Sequence, residues 1–109
     1  MAWLLRDGQV LASLEVADGF VDRSKGLLGR SGCDGAMLLT HVRGVHSVGM
    51  RFDLDVAWLD ADQVVIDLAR LRRGRIALPR LRARAVLEAE AGAFDRWGLT
   101  VGDRLEVKT

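Results

Sequence analysis

The sequence is short of the residues that usually announce a function. It has one cysteine, one proline, two histidines and no tyrosine. A lone thiol, Cys33, cannot close an internal disulfide, so nothing in the chain demands an oxidising compartment. Pro79 is the single proline, and no low-complexity tract, linker or repeat divides the 109 residues. A chain of this length is read as one domain, residues 1–109, with a real but modest core. No run reaches the roughly 18 consecutive apolar residues of a membrane helix. The opening, "MAWLLRDGQVLASLEVADG", is broken by Arg6, Asp7, Gly8 and Gln9 and lacks the basic, apolar, small-residue order of a signal peptide. The expectation is a soluble, cytoplasmic protein without a membrane partner. No nucleophile–base pair and no metal-ligand spacing is visible, so neither a cofactor nor a metal is expected.

Half of the residues are hydrophobic and 28% are charged, an ordinary globular balance. The apolar residues fall in short runs with period two. Two of them flank Asp7-Gly8, a strong hairpin dipeptide. In "DGFVDRSKGLLGRSG", Asp22 can cap a short helix and Gly29 can end it. "AMLLT" is continuously apolar and suits a buried strand. From Val48 to Trp58 the even positions (Val48, Met50, Phe52, Leu54, Val56, Trp58) are apolar, and the odd ones include Arg51, Asp53 and Asp55. This pattern predicts a strand with one buried face, bent near Gly49 or between Arg51 and Asp53. "VVIDLARL" is a further strand. "RLRARAVLEAEAG" alternates Leu81, Ala83, Ala85, Leu87 and Ala89 against Arg80, Arg82, Arg84, Glu88 and Glu90. "GAFDRWGL" reads as a helical turn or two, and "TVGDRLEV" as a turn and a closing strand. Many short strands with one or two short helices predict a mainly β fold, a β-sandwich or flattened barrel. Met50, Phe52, Leu54, Val56, Trp58, Leu87 and Leu99 are its expected core.

Three blocks in order carry a family resemblance: "RSKGLLGR" with "GAMLL", then "VHSVGMRFDLDVAWLD", then "ARAVLEAEAG" with "WGLTVGDRLEV". Over about residues 21–107 the chain resembles the bacterial and archaeal family known as domain of unknown function 192. The resemblance implies a compact, jelly-roll-like β domain with no established activity. It singles out Asp55, which matches the family's aspartate. There are two departures: Asp53 stands where the family usually has proline, and the cysteine often found shortly before the histidine is absent from "THVRG". Cys33 sits in a different loop and does not replace it.

The central block suggests candidate chemistry. Arg51, Asp53 and Asp55 share strand parity, with residues i and i+2 about 7 Å apart. They form either a polar site, an arginine for an anion and two carboxylates for a cation or proton, or a solvated strip. An aspartate is disfavoured in a strand, so Asp55 is expected to have a hydrogen-bonding role. His46 has the opposite parity, which points it at the core unless the chain bends at Gly49. A metal-dependent or enzymatic centre would need His46 to converge with Asp53 and Asp55, with His41 a possible fourth member. Arg30 either bonds the carbonyls of a helix end or reaches Asp55 or Glu88. Cys33 beside Asp34 has no local base and makes a poor nucleophile.

The near-neutral net charge of +1 conceals a strong asymmetry. Arg70, Arg72, Arg73, Arg75, Arg80, Arg82 and Arg84 are seven cations with no acid between Asp67 and Glu88. Before them stand six cations and ten acids; after them, three cations and five acids. The stripe is either solvated and paired within the fold or a contact for an anionic partner. It has no aromatic residue, which argues against nucleic acid. Three functions follow. The first is a non-enzymatic module binding a small ligand or a protein beside the Arg51–Asp55 strand, with Arg30, His46, Arg51, Asp53, Asp55 and Glu88 as candidates. The second is an enzyme or metal-dependent site at His46, Asp53 and Asp55. The third is a polyanion scaffold using Arg72, Arg73, Arg75, Arg80, Arg82 and Arg84.

Overall fold

The computed structural model describes residues 2–19, 26, 27, 29, 30 and 32–109. The chain begins with a hairpin of β1 (Ala2–Arg6) and β2 (Gln9–Ala17). Asp7 and Gly8 both take positive φ, 52° and 79°, the backbone twist that a two-residue hairpin loop requires. β3 (Ala36–Thr40), β4 (Val45–His46), β5 (Leu54–Leu59), β6 (Val65–Leu71), β7 (Ile76–Ala77) and β8 (Ala85–Glu90) follow, then the helical turn α1 (Ala93–Trp97) and β9 (Glu106–Lys108). The helix expected between Asp22 and Gly29 falls largely on residues 20–25 and 28, outside those described.

Seven strands form one sheet in the order β6-β5-β8-β3-β2-β1-β9, and β4 and β7 form a separate two-stranded ribbon. Only the β2–β3 pair is parallel; the others are antiparallel. The sheet curls until its two edges touch at one point. Val64 bridges Arg104, and Val65 N–H donates to Asp103 O at 2.8 Å while Leu105 N–H donates to Gln63 O at 2.9 Å. The ladder does not continue, so the expected flattened barrel is a curled sheet with a seam.

The curl creates two cores. The inner one gathers Leu4, Leu14, Leu38, Ala57, Leu59, Val65, Leu87 and Leu105, with Phe94 and Leu99 of the α1 region packed into it. The outer one lies on the opposite face: Met37, Leu39, Leu54, Val56, Trp58 and Val86, covered by Leu27, Met50, Phe52 and Ala83, with Val45 and Ala77 of the ribbon against it. All seven residues expected in the core are buried. At the centre of the outer core, Trp58 Nε1–H donates to Arg43 O at 2.8 Å, and the Arg80 guanidinium lies 4.1 Å from its ring centroid.

Two expectations are corrected by this double coverage. The strand expected from Val48 to Trp58 begins only at Leu54. Residues 47–50 form a turn, with Met50 N–H donating to Ser47 O at 3.0 Å, and Gly49 has φ 82°. The bend expected near Gly49 is therefore present, and the regular strand beyond it is buried at every position. Likewise the strand expected from Arg80 begins at Ala85. Residues 80–83 close a turn, with Ala83 N–H on Arg80 O at 3.0 Å, and Glu88, assigned to the charged face, is buried.

Candidate functional site

Asp55 points to the inner face at the end of the curl closed by α1. Its Oδ2 accepts hydrogen bonds from Gly92 N–H at 2.9 Å and Phe94 N–H at 3.1 Å, and its Oδ1 accepts from Arg70 Nε at 3.1 Å. The helical turn needs this carboxylate. Gly92 at its N-cap carries no side chain, so the free N–H groups of the first turn are satisfied from β5 instead. Arg70 also reaches Asp95 Oδ2 at 3.4 Å. Asp55 thus has the hydrogen-bonding role expected of it, and its bonds are directed at α1 and Arg70.

The structure does not bring the six strand-site candidates together. Glu88 lies on β8 between Met37 and Val56, pointing to the outer face, across the sheet from Asp55. His46 is exposed on the ribbon opposite Ile76. Arg51 is exposed in the bend. Among the described residues the Arg30 side chain reaches neither Asp55 nor Glu88, and the carbonyls of the expected helix lie largely outside those residues. Arg30 forms a two-pronged pair with Glu15, at 2.7 Å and 2.8 Å, which lowers the Glu15 pKa and raises that of Arg30. No three His, Cys, Asp or Glu side chains among the described residues form a metal-binding group, and His46, Asp53 and Asp55 do not converge. His41 is exposed at a turn with φ 60°.

Glu88, which is buried, and Cys33, which is half-buried, both have raised pKa values. Burial raises the Glu88 carboxyl from 4.5 to about 7, and its Oε1 has no hydrogen-bond partner among the described residues. A β-carbon on Gly26, which has φ 50°, would lie 3.0 Å from that oxygen, so a larger residue there would require the carboxylate to give way. Partial burial pushes the Cys33 thiol up, and its Sγ–H donates to Gly35 O at 3.2 Å.

A different convergence appears on the outer side. Asp53, from the first candidate set, meets Arg72, Arg73 and Arg75 from the arginine stripe. Together with Gly49, Met50 and Gly74 they line an open cleft of about 730 Å³. The Asp53 carboxylate accepts the Arg73 backbone N–H at 3.0 Å. Ser47, which the sequence reading passed over, is the other organiser. Fully buried, its hydroxyl donates to Arg72 O at 2.5 Å and accepts Arg75 N–H at 3.0 Å. Its own N–H donates to Arg75 O at 2.8 Å, and its carbonyl accepts Gly74 N–H at 3.0 Å. The 72–75 turn is therefore held by its backbone, and the three guanidinium groups form no ion pair among the described residues. The signal available in the sequence was "RRGR", a turn around Gly74 (φ 76°). The rest of the stripe divides. Arg70 is bound to Asp55, and Arg80, a candidate anion contact, pairs with Asp67 at 2.6 Å and stacks over Trp58. Arg82 and Arg84 are exposed.

A curled, mostly β sheet with a clasped helical turn and an arginine-lined outer cleft defines the class. Residues 2–107 match the domain of unknown function 192 family, described as an uncharacterised ACR, and the chain belongs to it. The match takes in the N-terminal hairpin, which the recognised blocks left out. A UPF0127 protein of Thermococcus gammatolerans is 32% identical over 96 residues, covering 83% of this chain and 63% of that protein; the chain thus spans less than two thirds of that relative. A UPF0127 protein of Pyrococcus abyssi is 29% identical over 98 residues, 85% of this chain and 84% of that one. A crystal structure from Sinorhizobium meliloti, described as a candidate transcription regulator, aligns with TM-score 0.79 at 26% identity, over 97% of this chain and 91% of that chain. A protein of unknown function from Novosphingobium aromaticivorans has the same fold, with TM-score 0.77 at 22% identity, over 96% and 82% of the two chains.

Proposed function

We propose that the protein is a non-enzymatic binding module whose ligand is anionic and sits in the cleft between the 47–53 bend and the 72–75 turn. The observation that carries this reading is the set of three exposed arginines on a fixed turn, Arg72, Arg73 and Arg75, which line the cleft and form no ion pair among the described residues. Unpaired guanidinium groups on an ordered backbone are prepared donors for a phosphate or carboxylate. Asp53 opposes them with one negative charge, but its Oδ1 is turned to the Arg73 backbone N–H. The region around Asp55, the first expectation for a ligand, favours this reading less, because that carboxylate already accepts three hydrogen bonds.

Titration of the protein with inorganic phosphate and with heparin at low salt tests the reading. Saturable binding that weakens steeply with added salt, and that falls in Arg72→Ala, Arg73→Ala and Arg75→Ala, supports it. Absence of binding at low ionic strength overturns it. A duplex DNA arm examines the nucleic-acid alternative raised by the description of the Sinorhizobium relative: binding to DNA without binding to phosphate or heparin would replace the small-anion reading.

A further inference from the structure

We propose that the ligand of the arginine cleft is an amphiphilic anion, a phosphate or carboxylate head with a short aliphatic chain, and that the chain lies along the β4–β7 ribbon. This rests on the cleft reading above and adds the chemistry of the rest of the ligand. Next to the cleft is an open groove of about 510 Å³ lined by Gly44, Val45, Val48, Ile76, Ala77 and Pro79, with His46 the only polar side chain on it among the described residues. The two depressions adjoin at two consecutive pairs of residues: Val48 lines the groove and Gly49 the cleft, and Ile76 lines the groove and Arg75 the cleft. One path along the ribbon therefore passes from three cations without an ion pair among the described residues to an aliphatic floor.

That floor is unusual for a surface. Val48 and Ile76 are 52% and 72% exposed, and each leaves apolar area in water that a ligand chain would cover. The order of the two surfaces selects the ligand. A bare anion would use only the cleft, and a neutral apolar molecule only the groove; a head with a chain uses both. A concave groove fits a single chain better than the plane of a bilayer. A bilayer would instead engage the more exposed Leu78 and Leu81, at 73% and 82%, which lie outside the groove lining.

The test is a calorimetric or NMR titration of the full chain at low salt with inorganic phosphate and with the n-alkyl phosphates from ethyl to octyl, below their micelle concentrations. A parallel arm uses vesicles of phosphatidylglycerol. Affinity is expected to rise about two- to fourfold with each added methylene until the groove is filled. Ile76→Ser and Val48→Ser are expected to bring octyl phosphate back toward the affinity of inorganic phosphate, and Leu81→Ser to change nothing. If every alkyl phosphate binds no more tightly than inorganic phosphate, the chain site is wrong and the anion cleft stands. If none of the phosphates binds, both readings fall. If only vesicles bind and Leu81→Ser abolishes it, the surface docks on bilayers and the amphiphile proposal is overturned.

Discussion

The Asp55 end of the curled sheet and the Ser47–Arg75 bend are both built from aspartate, arginine and a glycine turn, yet they do opposite things with their charges. At Asp55 the carboxylate is buried and bonded to two backbone N–H groups and to Arg70. At the bend the backbone is held by Ser47 and Asp53, and the arginine side chains are left over. In the first region the charged groups hold the fold together, and removing one exposes buried donors. In the second a neutral hydroxyl and one carboxylate hold the fold, so the cations are available for something outside it. A charged cluster thus reads as structural or functional according to where its hydrogen bonds end, even when the residue types are the same.

The contrast can be broken by substitution. The largest effect is expected at Asp55→Ala, which leaves the Gly92 and Phe94 N–H groups without a partner and Arg70 without its buried one. A loss of about 3 kcal/mol of stability, or on the order of 10 °C or more in melting temperature, is expected in thermal unfolding. A loss below about 1 kcal/mol would place Asp55 among the dispensable surface charges.

Glu88 provides the next largest effect, as a pH dependence. Its carboxyl is raised in the folded state from 4.5 to about 7. Between these values the folded chain holds a proton that the unfolded chain releases, so stability is greatest below about pH 4.5 and is lost as pH rises through 7. The full span corresponds to a contribution on the order of 3 kcal/mol. Denaturant unfolding from pH 4.5 to 8 should show this decline over and above that of the other groups, and Glu88→Gln should remove it. An unchanged slope in Glu88→Gln contradicts the assignment.

Smaller effects are expected at the surface. Arg30 and Glu15 form a well-shaped pair, but their side chains are 38% and 58% exposed, so Arg30→Ala should cost no more than about 1 kcal/mol in the same unfolding assay. Arg73→Ala should change stability by less than about 0.5 kcal/mol, because its side chain makes no ion pair among the described residues. A larger loss at Arg73 would mean that the cleft arginines are structural, and would erase the contrast with Asp55.

Much of the fold was legible because local chemistry decides it. Asp7-Gly8 requires positive φ and folds the first hairpin, "GAFDRWGL" closes on Gly98 in the left-handed region, and the apolar positions from Met50 to Trp58 are all buried. What could not be read was the second layer. Period two implies one buried face, but β5 and β8 lie mid-sheet with a core on each side, so the polar face of the alternation, Asp55 and Glu88, is buried as well. The site was partly legible for the same reason. The arginine stripe was visible as charge, but parity along a regular strand turns His46 to the core, whereas the 47–50 turn intervenes and leaves it exposed on the β4–β7 ribbon. The partner of Arg30 was not visible, because Glu15 lies on β2, 15 residues away in the sequence. Neither was the meeting of Asp53 with Arg72–Arg75, which depends on the way Ser47 ties together two turns 25 or more residues apart.

The central claim is that the two regions divide the work, with the fold held at Asp55 and the ligand met at the 72–75 turn. The most direct test is an amide NMR titration with inorganic phosphate at low and at high salt. Saturable shifts are expected at Gly49, Arg73 and Gly74 that vanish at high salt, while Gly92 and Phe94 stay in place. Shifts centred on Gly92 and Phe94, or no shifts at low salt, would contradict that claim.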